Sequence, residues 1–217
     1  MVKLTPGQEW FKGQQHVWER VVTPFFSGVH TCRALEIGSW EGGSAVWILQ
    51  NLCGCDSPGN QLVCVDHFDL LATKEGRARF KTFQGNIAST GLGDRVRVLR
   101  EFSMPALVQL MKEMEGQSAL GFDFVYIDGS HRADDVLMDA EMAWRMAKNG
   151  ALLVFDDYEW NQAREGTISH PKGGIDAFMT VHDGEYDVIS CGYQVMIKKL
   201  VGQRLGLSFA SADSQLS

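Results

Sequence analysis

The sequence predicts an α/β fold: a doubly wound, mostly parallel seven-stranded sheet closed by a C-terminal antiparallel hairpin. Three observations predict it. Five short apolar runs recur between residues 34 and 156, helical stretches separate them, and two extended runs joined by Cys191-Gly192 follow. Strands apolar on successive residues are covered on both faces, as in a parallel sheet, and strand–helix alternation builds such sheets. At 217 residues the chain is long enough to form one domain that buries about 70% of its unfolded surface.

Each element has its own signal. The first 32 residues hold Trp10, Phe11, Trp18, Phe25 and Phe26, and read as one or two helices laid over the core, either a lid or a contact between copies. The strands are Ala34 to Gly38, Gln61 to Asp66, Val96 to Leu99, Phe122 to Asp128 and Ala151 to Asp156; the 96–99 run is the weakest and partly alternating. Residues 44–53 and 134–148 carry apolar residues at helical spacing. In the second, Val136, Ala140, Ala143 and Ala147 form one stripe, Asp134-Asp135 suit the positive helix start, and Asn149-Gly150 suit a left-handed stop. Tyr186 to Ser190 and Tyr193 to Lys199 form the hairpin. Residues 33–200 are thus one domain, and the Ser- and Gly-rich residues 201–217 a loose tail.

Composition narrows the function. With 20 Lys and Arg against 27 Asp and Glu the net charge is -7, which argues against a partner with a phosphate backbone. No apolar run approaches the ~18 residues of a membrane span, and the first residues lack the apolar segment of a secretory leader, so a cytoplasmic location is expected. The five cysteines include no C-x-x-C; Cys53 and Cys55 read as packing or as a redox-sensitive pair, in a reducing compartment.

The first strand–helix turn reads Glu36-Ile37-Gly38-Ser39-Trp40-Glu41-Gly42-Gly43-Ser44. Open α/β sheets bind ligands outside the carboxyl ends of their strands, which makes this turn the cofactor site. A dinucleotide needs glycine at position 40, where the chain has Trp, so the spacing suits a ligand without phosphates. Gly38 and Gly42 let backbone N–H groups approach it, and Ser44 at the helix start can bind a carboxylate. Asp66, ending the second strand, can accept both hydroxyls of a ribose.

With these residues in order, the chain resembles the class I S-adenosylmethionine-dependent methyltransferases, more closely the small O-methyltransferases of the macrocin and catechol type, over residues 33–199. The resemblance implies a Rossmann-like methyltransferase fold with S-adenosylmethionine as cofactor. It implies that Glu36, Gly38, Ser39 and Ser44 hold the methionine end, Asp66 the ribose, and Ser103 and Met104 the adenine. His67, next to Asp66, is either a further cofactor contact or a surface loop residue.

Ile127-Asp128-Gly129-Ser130-His131 closes one strong strand, and Phe155-Asp156-Asp157-Tyr158 the next. If these strands are neighbours, Asp128, Asp156 and Asp157 converge, and like charges packed together either protonate or hold a cation. Oxygen ligation suits Mg2+ or another divalent cation; the rival reading makes these residues helix caps and loop acceptors. The resemblance supports the metal, since metal-dependent members carry carboxylates at these places. Where catechol-type enzymes have Lys, this chain has His131, as in the macrolide-sugar type. Imidazole is a reasonable general base near neutral pH.

The expected activity is methyl transfer to a hydroxyl of a small molecule (sugar, polyol or phenol), with Asp128 and His131 as the catalytic pair and Asp128 also a cofactor contact. A homo-oligomer is compatible with it. Tyr158 and Trp160 form either an aromatic wall for the acceptor or core packing. His170 is a candidate gate, and His16, His30 and His182 are placed on the surface. Two other classes compete. One is a non-catalytic module that binds S-adenosylmethionine or metal; the other is a nicotinamide oxidoreductase, which Trp40 disfavours. The acidic balance argues against a nucleic-acid methyltransferase.

Overall fold

The computed structural model describes residues 2–205 apart from 116, 118 and 119. Seven strands form one sheet: β1 (Arg33–Ile37), β2 (Gln61–Val65), β3 (Val96–Leu99), β4 (Phe122–Ile127), β5 (Ala147–Phe155), β6 (Tyr186–Cys191) and β7 (Val195–Lys199), in the order β3-β2-β1-β4-β5-β7-β6. The first five are parallel; β7 runs antiparallel to β5 and to β6. The doubly wound sheet with its closing hairpin is therefore as the sequence predicts. Strand order reverses at β1 and β4, which puts the crevice of the sheet between their carboxyl ends.

Among the described residues, six α-helices cover the two faces: α1 (Trp10–Phe25), α2 (Gly43–Asn51), α3 (Lys74–Ala88), α4 (Ser103–Met114), α5 (Ala133–Met146) and α6 (Lys172–Val181). Helices α1, α2 and α3 share one buried cluster with the sheet, and α4, α5 and α6 the other. Trp18 centres the first, edge-on to Trp47, Phe124 and Tyr126 at 5.1, 5.4 and 4.8 Å. Its indole N–H donates to Gln194 Oε1 at 2.7 Å, so a buried aromatic keeps its polar atom satisfied.

Two boundaries differ from expectation. The helix expected to run to a stop at Asn149-Gly150 ends at Met146, and β5 starts at once with Ala147. The physical reason is Lys199: its buried ammonium donates to Trp144 O at 2.6 Å and Ala147 O at 2.7 Å, capping the helix end in place of a glycine. Gly150 does take a left-handed φ of 84°, but inside the strand, where the β4–β5 register shifts. The sequence reading also passed over α3, α4 and α6, although Ala106, Leu107, Leu110 and Met114 of α4 repeat at helical spacing. The 201–217 tail falls mostly outside the described residues. Among them, no helix is long and apolar enough to cross a membrane.

Candidate active site

The sheet ladder continues one residue past each strand. Gly38 N donates to Val65 O (2.8 Å), Asp66 N to Leu99 O (3.2 Å), Asp128 N to Ile37 O (2.8 Å) and Asp156 N to Ile127 O (3.0 Å). These bonds set Gly38, Asp66, Asp128 and Asp156 side by side along the carboxyl edge.

The glycine turn is tightly wound. Gly38, Trp40 and Gly42 have φ of 88°, 47° and 85°. Asp66 clamps the turn: its Oδ2 accepts from Ser39 N at 3.1 Å and Trp40 N at 2.8 Å, and its Oδ1 from Phe68 N at 2.8 Å. Glu36 lies fully buried beneath, taking the Ser44 hydroxyl at 2.6 Å. Burial pushes its carboxyl up to about 7, held back by the nearby hydroxyls of Ser39 and Ser44. Ser44 is thus turned inward to Glu36, and the two brace the turn from below. Ser39 Oγ is buried without a hydrogen-bond partner.

Residues 3–11 strap the outside of this turn. Thr5 donates from N and Oγ1 to the two Glu41 oxygens at 2.7 and 2.6 Å, and Trp40 Nε1 donates to Gln8 Oε1 at 2.7 Å. The Arg79 guanidinium lies 3.6 Å over the Trp40 ring.

At the far end, the His67 ring stacks on Phe102 at 4.9 Å, with Nδ1 accepting from Asp69 N. Phe68, Asp69, Leu70 and Leu71 all have positive φ, 43° to 58°, a left-handed turn rare for L residues. Leu70 and Leu71 line a cavity of about 450 Å³ with Val98, Leu99, Arg100, Glu101 and Gln109. Ser103 opens α4 and lies against buried Asp139, whose carboxyl burial raises to about 6; Met104 is half exposed.

Asp128 and Asp156 meet at one hydroxyl, and Asp157 turns to other partners beside them. The Tyr126 hydroxyl lies between Asp128 Oδ2, at 3.0 Å, and Asp156 Oδ2. Asp157, at a left-handed φ of 61°, has Oδ2 2.9 Å from His131 Nε2, and its Oδ1 accepts from the Tyr193 hydroxyl at 2.6 Å. The His131 ring stacks on Trp160 at 4.2 Å. Burial, then repulsion from Asp156 and Asp157, holds Asp128 well above the carboxylate range; burial and Asp157 push Asp156 up to about 6. Among the described residues, no three His, Cys, Asp or Glu side chains stand already gathered as metal ligands.

Other expectations are corrected. His170 is fully buried, with Nε2 at 2.6 Å from Trp160 O, so it ties the loop together and is not a gate. His182 is buried between Glu141 and Glu185, at 2.9 and 2.7 Å, and is not on the surface. Of the two aromatics, Trp160 faces the site, while Tyr158 turns to Asp176 and Lys172. The sequence reading missed Tyr126, Tyr193 and Phe102. Tyr126 was findable, since a residue two before Asp128 on a strand shares its side.

A sequence model of the family described as "Methyltransferase domain" matches residues 35–158. The chain is 27% identical over 126 residues to "Uncharacterized protein R132" of Acanthamoeba polyphaga mimivirus, which covers 58% of this chain and spans only about half (51%) of that relative. Among solved structures, it is similar to the O-methyltransferase from Bacillus cereus in complex with SAH (19% identity, TM-score 0.58, 91% of this chain and 83% of that one). It is similar also to TomG from Streptomyces achromogenes, an O-methyltransferase involved in tomaymycin synthesis, in complex with SAM (18%, TM-score 0.59, 93% and 82%). The chain belongs to the methyltransferase-domain family, and its fold is that of the class I S-adenosylmethionine-dependent enzymes.

Proposed function

We propose that the chain transfers the methyl group of S-adenosylmethionine to a hydroxyl of a small molecule, assisted by a divalent cation. One observation carries the reading: Gly38 packs directly on the backbone of Asp128, so a ligand held by the glycine turn ends beside Asp128, Asp156, Asp157 and His131. Binding of SAM and SAH by the structural relatives supports the same donor.

The turn fits that cofactor. Among the described residues Ser39 Oγ is buried without a partner at hydrogen-bonding geometry, and the start of α2 carries no side-chain cap on its backbone N–H groups. Asp66, His67 and Phe102 would meet the ribose and adenine, with Ser103 and Met104 at the start of α4 nearby in sequence. When bound, S-adenosylmethionine supplies a methyl on a sulfonium, an electrophile that needs no further activation.

The donor set also fits a hard cation in kind: three carboxylates that repel one another, all oxygen, on adjacent strands. Asp128, Asp156 and Asp157 would hold it, the first two turning from Tyr126 to do so, and it would lower the pKa of a bound hydroxyl. His131 takes the proton. Its Nε2 faces Asp157, which fixes the tautomer with hydrogen on Nε2 and leaves Nδ1 as the accepting atom. Asp157 then stabilises the imidazolium. Alignment of acceptor and donor across the Gly38–Asp128 contact supplies much of the rate.

The test is methyl transfer from labelled S-adenosylmethionine to a panel of catechols, sugars and small alcohols, with EDTA and then with Mg2+ restored. Transfer abolished by EDTA and recovered with Mg2+ supports the whole reading. Transfer indifferent to EDTA removes the cation and leaves the three carboxylates to bind the acceptor directly.

A further inference from the structure

The hairpin of β6 and β7 reaches into the carboxylate site. β7 lies antiparallel to β5 with Val195 opposite Phe155, so two residues beyond that pair on each strand, Tyr193 meets Asp157. Tyr158 N donates to Tyr193 O at 2.9 Å, which fastens the hairpin tip to the loop after β5. The Tyr193 hydroxyl donates to Asp157 Oδ1 at 2.6 Å, while Oδ2 of the same carboxylate takes His131 Nε2 at 2.9 Å.

Asp157 needs such holding. Its φ of 61° is a conformation that non-glycine residues keep only where the surroundings over-determine it. Its N–H goes to Asp156 Oδ1 at 2.8 Å, and its carbonyl takes Trp160 N at 3.0 Å. Among the described residues, the carboxylate itself is fixed by two groups, Tyr193 and His131. His131 is half exposed and cannot anchor it alone, since Asp157 and the face of Trp160 are what hold the imidazole.

We propose that Tyr193 is a positioning residue. Its hydroxyl fixes the plane of the Asp157 carboxylate, and through it the direction in which His131 presents Nδ1. The consequence for turnover rests on the methyl-transfer reading; the effect on the resting site does not. No bond to Tyr193 forms or breaks, and its proton stays in place.

The test has two readouts on the full chain. The first is the His131 Cε1–H resonance in the protein without added ligand, assigned by its loss in His131→Gln; the stacked Trp160 ring shifts it from the free-imidazole position. Tyr193→Phe, which keeps the ring, is expected to move that resonance toward the free position without lowering the thermal midpoint. In an Asp157→Asn background the same substitution adds no further shift. The second readout is turnover. Tyr193→Phe is expected to lower kcat about tenfold to a hundredfold, with the KM for S-adenosylmethionine within about twofold. An unmoved His131 resonance in Tyr193→Phe overturns the inference, as does an undiminished effect when Asp157 is already Asn. A wild-type chain that methylates no acceptor contradicts the methyl-transfer reading instead, and the resonance still decides the role of Tyr193.

Discussion

The carbonyl oxygen of Asp128 fills the space where Gly38 would carry a side chain: a Cβ built on Gly38 stands 2.0 Å from it. The glycine turn and the backbone that carries the Asp128 carboxylate are therefore packed as one unit. Gly38 also has a φ of 88°, which a side chain disfavours. Gly38→Ala must push β1 and β4 apart at their carboxyl ends. It is expected to weaken SAH binding at least about a hundredfold and to destabilise the fold by about 2 kcal/mol or more, by calorimetric titration and urea unfolding.

His131 touches the carboxylates but not the glycine turn. His131→Ala should cut kcat by about a hundredfold to ten-thousandfold and leave cofactor affinity nearly unchanged. Equal losses in kcat and in SAH affinity would make His131 part of the cofactor site.

Glu36 links the turn to pH. Burial raises its folded pKa to about 7, above its usual value near 4.5. Between those values the folded chain binds a proton that the unfolded chain has released. Stability is therefore greatest below about 4.5 and falls as pH rises through 7, by about 1.4 kcal/mol for each pH unit separating the two values. Glu36→Gln keeps the hydrogen-bonding shape without the charge. Its urea midpoint should be less dependent on pH over this range than that of the wild type, and higher at pH 8. A wild-type profile that rises from 4.5 to 7 by as much as the variant's would show that Glu36 is ionised throughout.

Lys199 caps α5 and is buried, which pushes its ammonium down to about 8. Lys199→Met leaves the carbonyls of Trp144 and Ala147 without their donor and should cost about 1–3 kcal/mol in urea unfolding. Because Lys199 lies at the end of β7 remote from the carboxyl edge, SAH affinity should hold.

Much of this was legible in the sequence because it depends on local rules. Continuous apolar runs gave the parallel strands, and their final residues, Asp66, Asp128 and Asp156, fall at the carboxyl edge by strand polarity alone. What could not be read was set by distant partners. Met146 ends α5 because Lys199, more than fifty residues on, supplies the cap. Tyr193 enters the site only through the register of the hairpin, and His182 is buried because Glu141 and Glu185 receive it. Ser44 looked like a ligand group, yet Glu36, eight residues earlier, takes its hydroxyl.

The most direct test of the shared active centre is Asp128→Asn, which changes the carboxylate but leaves the backbone under Gly38 intact. Labelled methyl transfer and SAH binding would be measured on the same preparation. The expected result is SAH affinity within about threefold of wild type and transfer reduced at least about a hundredfold. Wild-type transfer by Asp128→Asn would contradict the account, because the carboxylates beside the glycine turn would then have no part in the reaction.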